Sequence, residues 1–192
     1  FLVGATLIIA DAKTAKSIDE LHLFLTKNHV SILHAVPSLL SLLKTEIPSL
    51  RLVNSGGEAC NQNIVQKWHH PARQFFNSYG PTETTVSSCM IPLNPGDPIS
   101  VGKPLPFYDM AVVNEHLEIV PIGEEGELVI SGPCLSEGYL NRPDLTAKAF
   151  LKKPDSLQEM RGDRIYLTGD FARMNEAGEF YIVGRKDDQI KI

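Results

Sequence analysis

The segment SYGPTET, Ser78–Thr84, brings an aromatic ring, hydroxyls and a carboxylate close together in the chain. Its Gly-Pro pair predicts a stiff turn, because Pro fixes φ and Gly tolerates values that other residues avoid. The preceding RQFFNSY predicts a strand, so the turn lies at a strand's carboxyl end, where open α/β sheets bind ligands. Tyr79 could stack on a purine, Thr82 could hydrogen-bond a phosphate oxygen, and Glu83 could hold Mg²⁺. The alternative is a polar loop in which Glu83 only adds a negative charge at a helix start.

Three further segments carry residues that could bind a nucleotide. In NSGGEA, Gly56 and Gly57 would let the backbone approach a flat ligand, although glycine pairs also mark ordinary turns. Asp170 ends YLTGD and could accept hydrogen bonds from both hydroxyls of a ribose, or form a local turn. Arg185, in GRKDDQIKI, could bind ribose or phosphate, or belong to a solvated run of charges.

The first half of the chain alternates patterns typical of strands and helices. Strands are predicted in LVGATLIIA, VSILHAV, LRLVNSGGEA and RQFFNSY. Between them, Ser17 and Glu20 form a capping-box pattern, Pro37 suits a first helical position, and Asn61 suits an N-cap. This βαβαβ order predicts an α/β fold with a mostly parallel sheet and flanking helices.

The pattern changes after about Gly96. MAVVNEHLEIVPIGEEGELVIS has two strand patterns around a Pro/Gly turn, and RIYLTGDFARMNEAGEFYIVGR repeats that arrangement with NEAG as its hairpin turn. PDLTAKAF is the one helical pattern that stands out there. We therefore predict an α/β subdomain over 1–107 and a β-rich subdomain over 108–184.

Composition narrows the class of protein. The 192 residues are 43% hydrophobic and 21% charged, as in soluble globular proteins, and carry a formal charge of −5. This charge gives no basic surface for nucleic acid or anionic lipid, and no apolar run is long enough to span a bilayer. The three cysteines are odd in number and lack a CxxC motif, which favours a reduced, cytoplasmic compartment without a zinc site.

Taken together and in order, the motifs resemble one family. NSYGPTE, GELVISGPCLSEGYL, YLTGD and GRKDDQIKI are similar to consecutive core motifs of the adenylate-forming superfamily, and specifically of the adenylation domains of non-ribosomal peptide synthetases. GATLIIA, ILHAVPSLL and LRLVNSGGEA fit as well, so the likeness covers essentially the whole chain. The resemblance implies a fragment of a larger fold, with a distorted barrel as its β-rich part.

The resemblance also implies a reaction. Members use ATP and Mg²⁺ to convert an amino acid into an acyl adenylate, releasing pyrophosphate. They then pass the acyl group to the phosphopantetheine thiol of a carrier-protein domain, one of the partners expected here beside neighbouring synthetase domains.

Roles follow for the matching residues. Thr82 would touch the α-phosphate and Glu83 would ligate Mg²⁺, and both count as catalytic. The nucleotide-binding residues would be Gly56, Gly57 and Asn77 lining the adenine slot, Tyr79 stacking on adenine, and Asp170 and Arg185 holding the ribose hydroxyls. Residues 185–192 would begin a missing small domain, with Asp187 as its hinge. Ile182 departs from the family, which often has an aromatic residue there.

The acyl pocket is implied in the same way. The positions that match the family's pocket lining are His34, Val53, Ser55, Ser78, Val86 and Ser87. Three serines and a histidine indicate a polar or small substrate side chain. Two alternatives remain open: an acyl-CoA or aryl-acid ligase of the same superfamily, and a non-catalytic nucleotide-binding module.

By the same resemblance, the phosphate loop lies before Phe1 and the catalytic Lys after Ile192. We therefore expect residues 1–192 alone to form no acyl adenylate at a useful rate. Substrate-dependent exchange of labelled pyrophosphate into ATP by the isolated chain would contradict this expectation.

Overall fold

The computed structural model describes residues 4–186. Its helices are α1 Ala12–Lys16, α2 Ile18–Lys27, α3 Pro37–Leu42, α4 Gln62–Trp68 and α5 Pro143–Ala149, with short 3₁₀ helices at Thr82–Thr84 and Asp155–Leu157. The strands are β1 Ile32–Ala35, β2 Leu52–Gly56, β3 Gln74–Tyr79, β4 Cys89–Pro92, β5 Lys103–Pro104, β6 Asp109–Val113, β7 Gly126–Ser131, β8 Phe150–Lys152, β9 Arg164–Met174 and β10 Phe180–Arg185.

The chain divides into two compact units. The first comprises Phe1–Phe76 with Pro92–Asp97, and the second comprises Asn77–Ile91 with Pro98–Ile192. The subdomain boundaries at 107 and 184 remain predictions of domain organisation.

The first unit contains the predicted alternation of strands and helices. Strands β1 and β2 are parallel, and the strand order runs β1-β2-β3. The side chain of Ser17 accepts a hydrogen bond from the amide of Glu20 at the start of α2, and that of Asn61 accepts one from Ile64 at the start of α4. Pro37 occupies the first turn of α3, where its missing N–H costs no helical hydrogen bond.

The core of the first unit centres on Trp68 at the end of α4. Its side chain is fully buried, and its indole nitrogen donates to the carbonyl of Leu40 at 3.0 Å. The guanidinium of Arg73 lies 5.4 Å from the ring centroid and donates to the carbonyl of Thr45. Helices α3 and α4 are therefore joined by apolar packing and by directed hydrogen bonds around one aromatic residue.

The second unit is β-rich and antiparallel. Its main sheet has the order β10-β9-β7-β6, and β8 pairs with β9. The hairpin between β9 and β10 turns at the predicted NEAG, where the amide of Gly178 donates to the carbonyl of Asn175. The fully buried side chains of its core include Leu128, Ile130 and Ile165.

Strand β9 contains an irregularity that positions a site residue. Glu127 of β7 pairs with Phe171 and Val129 pairs with Leu167, so two steps along β7 match four along β9. Residues 168–170 of β9 therefore stand opposite the single residue Leu128, two more than a regular pairing has, and form a bulge in the β7–β9 ladder. Bulges of this kind bend a strand and re-aim its side chains.

The predicted fold class is confirmed: an α/β part with a parallel strand pair and flanking helices precedes a β-rich part with a curled sheet. The prediction of the first strand was wrong. Residues 4–10 of the predicted first strand form neither strand nor helix, and Ile9 is 78% exposed. An apolar run becomes a strand only where a neighbour completes its hydrogen bonds, and sequence patterning does not show that neighbour.

Within residues 4–186, no helix is both long enough and apolar enough to cross a membrane.

Replacing Trp68 with Ala should destabilise the chain by about 3–5 kcal/mol, because it opens a cavity in the core of the first unit. Urea unfolding would measure this loss. Gln66→Ala is the matched control, since Gln66 is exposed on the same helix, and its effect should stay within about 0.5 kcal/mol. Equal stabilities for the two variants would contradict the packing described for α4.

Candidate functional site

Three residues that were predicted to bind a nucleotide are joined by direct contacts in the second unit. The hydroxyl of Tyr79 donates to Oδ2 of Asp170, and the guanidinium of Arg185 donates to Oδ1 at 3.1 Å. Asp170 is only 4% exposed. A carboxylate this deeply buried needs both a counter-charge and hydrogen bonds, and the two partners supply them.

The bulge in β9 presents Asp170 to these partners. Gly169 has a φ of +69°, in the left-handed region that favours glycine. The hydroxyl of Thr168 donates to the carbonyl of Leu128 at 2.7 Å and accepts from the amide of Asp170 at 3.0 Å. Arg185 also donates to the carbonyl of Thr168 at 3.0 Å, so the arginine contacts both the backbone of the bulge and the carboxylate that the bulge carries.

The turn after β3 is tighter than its sequence indicates. A Cβ on Gly80 would lie 2.5 Å from the carbonyl oxygen of Val86, so glycine is needed here for close backbone approach and not for positive φ. The amide of Ser88 donates back to the carbonyl of Tyr79 at 2.9 Å. Thr85 and Val86 have φ values of +58° and +74°. Such values are uncommon for any residue other than glycine and are a genuine outlier for a β-branched one, and strain of this kind clusters at functional sites.

Glu83 stands in this turn with a partner that sequence analysis missed. The hydroxyl of Tyr139 donates to Oε1 of Glu83 at 2.6 Å. The backbone carbonyl of Glu83 accepts from the amide of Ser136 at 2.8 Å. The segment before α5 therefore fixes both the main chain and the side chain of this carboxylate.

Tyrosines connect the surroundings of the two carboxylates. Burial raises the pKa of Tyr79, and the charge of Asp170 adds to that rise. Burial also raises the pKa of Tyr166, followed by the charge of Glu83. The pKa of Tyr139 rises through burial and its hydrogen bond to Glu83, while the positive charge of Arg185 opposes the rise. These phenols stay protonated near neutral pH, so Tyr79 remains a donor to Asp170 and Tyr139 remains a donor to Glu83.

The carboxylate of Glu83 could bind a hard divalent cation together with the phosphates of a nucleotide. Glu83 offers carboxylate oxygens, of which Oε1 already accepts from Tyr139. Among residues 4–186 no group of three or more His, Cys, Asp and Glu side chains forms a closed metal site. Mg²⁺ typically binds through one or two carboxylates and completes its shell with phosphates and water, so Glu83 fits that use.

Several predicted residues belong to the first unit, in β1 and β2 and directly after β2. His34 pairs in register with Asn54, and its Nδ1 lies 2.9 Å from the side-chain amide nitrogen of Asn54. Val53 and Ser55 are fully buried. Gly57 has a φ of +86°, and a Cβ there would lie 3.4 Å from a methyl of Val36. Gly56 ends β2.

The remaining predicted residues vary in exposure. Asn77 is buried, and its side-chain amide donates to the carbonyl of Ser100 at 2.7 Å. Ser78 is buried, Ser87 is half-buried, and Thr82 and Val86 are exposed. Asp187 lies outside the described residues, so its hinge role stays a prediction.

The residues missed by sequence reasoning are Tyr139, Tyr166 and Thr168. Tyr139 is the penultimate residue of the segment GELVISGPCLSEGYL, whose family likeness was a signal without a role assigned to this tyrosine. Tyr166 and Thr168 lie in the motif YLTGD, where only Asp170 received a role, and the alternating pattern of β9 gave them no further signal. Only the contacts across the sheet distinguish them.

The chain belongs to the family of AMP-binding enzymes. The family model described as "AMP-binding enzyme" matches residues 1–140, which is most of the chain.

Curated relatives place it near the peptide synthetases. The chain is 45% identical, over its whole length, to delta-poly-L-ornithine synthetase of Acinetobacter baumannii (strain AB307-0294) and spans 14% of that protein. It is 37% identical over its whole length to tyrocidine synthase 1 of Brevibacillus parabrevis, of which it spans 18%. The chain thus corresponds to less than a fifth of each of these two relatives.

A solved structure shows the same fold. PA1221, described as a non-ribosomal peptide synthetase protein containing adenylation and PCP domains, aligns with a TM-score of 0.80 at 28% identity. The alignment covers 91% of this chain and 37% of that one.

The raised pKa of Tyr79 predicts a specific loss of stability in alkali. Burial and the charge of Asp170 hold the pKa of Tyr79 in the folded protein above the ordinary tyrosine value of about 10. The stabilisation is therefore complete below pH ~10 and falls above it, by at most about 1.4 kcal/mol per pH unit. Tyr79→Phe should show a shallower fall above pH 10 when unfolding free energy is measured by urea melts at successive pH values.

Two features make this test specific. Between pH 7 and 9 tyrosine ionisation should not change the unfolding free energy of either protein. This pH range serves as the internal control. Below pH ~10 the variant should also be less stable, by about 1.5–3 kcal/mol, because Asp170 loses the hydrogen bond from Tyr79, and this difference should narrow as the pH rises above 10. Parallel slopes above pH 10 would contradict the buried Tyr79–Asp170 contact.

Proposed function

We propose that this chain is part of an adenylation domain that activates an amino acid with ATP and Mg²⁺ for loading onto a carrier-protein phosphopantetheine. The observation that carries the proposal is the grouping of Tyr79, Asp170 and Arg185 by direct contacts, with Arg185 also acting on Tyr139, the partner of Glu83. Membership of the AMP-binding enzyme family supports the nucleotide assignment.

In the proposed complex, Asp170 accepts hydrogen bonds from the ribose hydroxyls while Arg185 balances its charge. Tyr79 stacks on adenine and Asn77 lines the adenine slot, a role that the family likeness gives to Gly56 and Gly57 as well. Thr82, which is exposed in the turn, donates to an oxygen of the α-phosphate. These roles rest on the family likeness and on side-chain chemistry suited to each part of ATP.

The proposed reaction needs no protein nucleophile. An oxygen of the substrate carboxylate attacks the α-phosphorus of ATP, the bond to the β-phosphate oxygen breaks, and pyrophosphate leaves. The carrier thiol then attacks the acyl carbon and releases AMP. Catalysis of such a displacement comes mostly from positioning and charge stabilisation.

Glu83 is the proposed protein ligand for Mg²⁺. The bound cation would offset negative charge on the phosphates. Glu83 suits this task because its main chain is fixed by Ser136 and its side chain by Tyr139.

The names of the relatives support a carrier-dependent peptide synthetase over a CoA ligase. PA1221 is described with both adenylation and PCP domains, and tyrocidine synthase 1 is named for a peptide product. We therefore propose carrier and neighbouring synthetase domains as partners, and a cytoplasmic location.

The substrate class is proposed from the residues matched to the acyl pocket: His34, Val53, Ser55, Ser78, Val86 and Ser87. These favour a polar or small side chain. The relative at 45% identity is named for poly-L-ornithine, which adds ornithine to the polar candidates.

We expect the longer polypeptide that carries this chain to exchange labelled pyrophosphate into ATP most rapidly with a small or polar amino acid. A panel containing L-ornithine, serine, phenylalanine and leucine tests this expectation. Fastest exchange with phenylalanine or leucine would contradict the pocket assignment, and a requirement for free CoA in product formation would favour the CoA-ligase alternative.

In the same polypeptide, Asp170→Asn should raise the KM for ATP by at least about tenfold, because hydrogen bonds to a charged acceptor are worth about 1.5–3 kcal/mol. Asp163→Asn is the matched control, since Asp163 is exposed and precedes the same strand. An unchanged KM for ATP in Asp170→Asn would remove the ribose assignment.

A further inference from the structure

We propose that Tyr139 is a positioning residue that holds the Glu83 carboxylate in the orientation needed to bind a divalent cation with ATP. This inference rests on the proposed function. It adds a residue that has no other role in the proposed site, and it acts through Glu83 without touching the nucleotide.

The position of Tyr139 is fixed by a backbone hydrogen bond and by ring packing. Its backbone amide donates to Oγ1 of Thr146 at 2.8 Å, and that oxygen donates in turn to the carbonyl of Arg142. Its ring packs edge-on against Phe150, with centroids 5.8 Å apart. Gly138 allows the close approach, since a Cβ there would lie 2.3 Å from the methyl of Thr146. The phenol therefore reaches Glu83 from the segment that precedes α5.

The opposite end of the contact is equally constrained. Ser136 donates its amide to the carbonyl of Glu83, and the hydroxyl of Thr85 donates to the carbonyl of Cys134 at 2.8 Å. Arg164 donates to the carbonyl of Ser136 at 3.1 Å while lying over the ring of Phe150. One short segment thus fixes the turn that carries Glu83 and also supplies the phenol that orients its carboxylate.

The 2.6 Å contact has a direct chemical consequence. An O–H donor to a carboxylate at this distance is a charge-assisted hydrogen bond, among the stronger kinds in proteins. It restricts the side-chain torsions of Glu83, so the carboxylate would meet a divalent cation in one orientation. Partners of metal ligands typically change metal affinity by about 10–100-fold when they are removed.

The test uses the longer polypeptide that carries this chain, with Mn²⁺ as the probe. The protein is kept in excess over a non-hydrolysable ATP analogue, and free Mn²⁺ is followed by its electron paramagnetic resonance signal. Tyr139→Phe removes the hydroxyl and keeps the ring, and should weaken Mn²⁺ binding by about 10–100-fold. Pyrophosphate exchange should show the same shift in the Mg²⁺ concentration for half-maximal rate.

The matched control is Tyr181→Phe. Its hydroxyl donates to a glutamate too, Oε2 of Glu179 at 3.3 Å, in the β9–β10 hairpin. This variant should bind Mn²⁺ like the unsubstituted protein. Thr146→Val, which removes the acceptor of the Tyr139 amide, is a second variant and should weaken Mn²⁺ binding in the same direction.

A double-substitution cycle identifies the route of the effect. If Tyr139 acts through Glu83, Tyr139→Phe should cause little further loss of Mn²⁺ affinity in a Glu83→Gln background. Additive losses, or unchanged or tighter Mn²⁺ binding in Tyr139→Phe, would overturn the inference. Unchanged binding in Glu83→Gln would instead remove the metal role of Glu83 from the proposed function, and the inference with it.

Discussion

A buried carboxylate that needs hydrogen-bond donors and a counter-charge is the constraint on which the second unit depends. Asp170 is almost inaccessible to water, so it needs the hydroxyl of Tyr79 and the guanidinium of Arg185. These partners come from the ends of β3 and β10, and the bulge in β9 aims the carboxylate at them. Removing one partner would leave a buried charge unbalanced, which is why the site and the sheet cannot be separated energetically.

Glu83, the second carboxylate of the site, also depends on a tyrosine hydroxyl, but it needs fewer partners than Asp170. Glu83 is only half-buried, so water can share in its solvation, and a single phenol suffices to orient it. Burial and the hydrogen bond to Glu83 raise the pKa of Tyr139, and the positive charge of Arg185, the partner of Asp170, lowers it. A negatively charged nucleotide with its cation is the kind of ligand that such mixed charges accommodate.

Prediction from sequence succeeded where local rules decide the outcome. The N-caps Ser17 and Asn61 and the helix-opening Pro37 depend on residues within one turn, and all three were predicted correctly. The apolar residues 4–10 were wrong because a strand needs a neighbour that local rules do not reveal. Gly80 was correctly placed in a turn, but for the wrong reason: the requirement is room beside the backbone of Val86.

By itself the sequence determined the fold class, the helix starts and the motif positions, because periodicity, capping and turn chemistry are local. The tertiary structure alone decided the partners: Tyr139 for Glu83, Thr168 for the bulge, and Tyr79 for Asp170. Tyr79 and Asp170 are 91 positions apart, and 56 separate Glu83 from Tyr139. Contacts across such separations depend on strand register and on a bulge, which no spacing of residue types along the chain encodes.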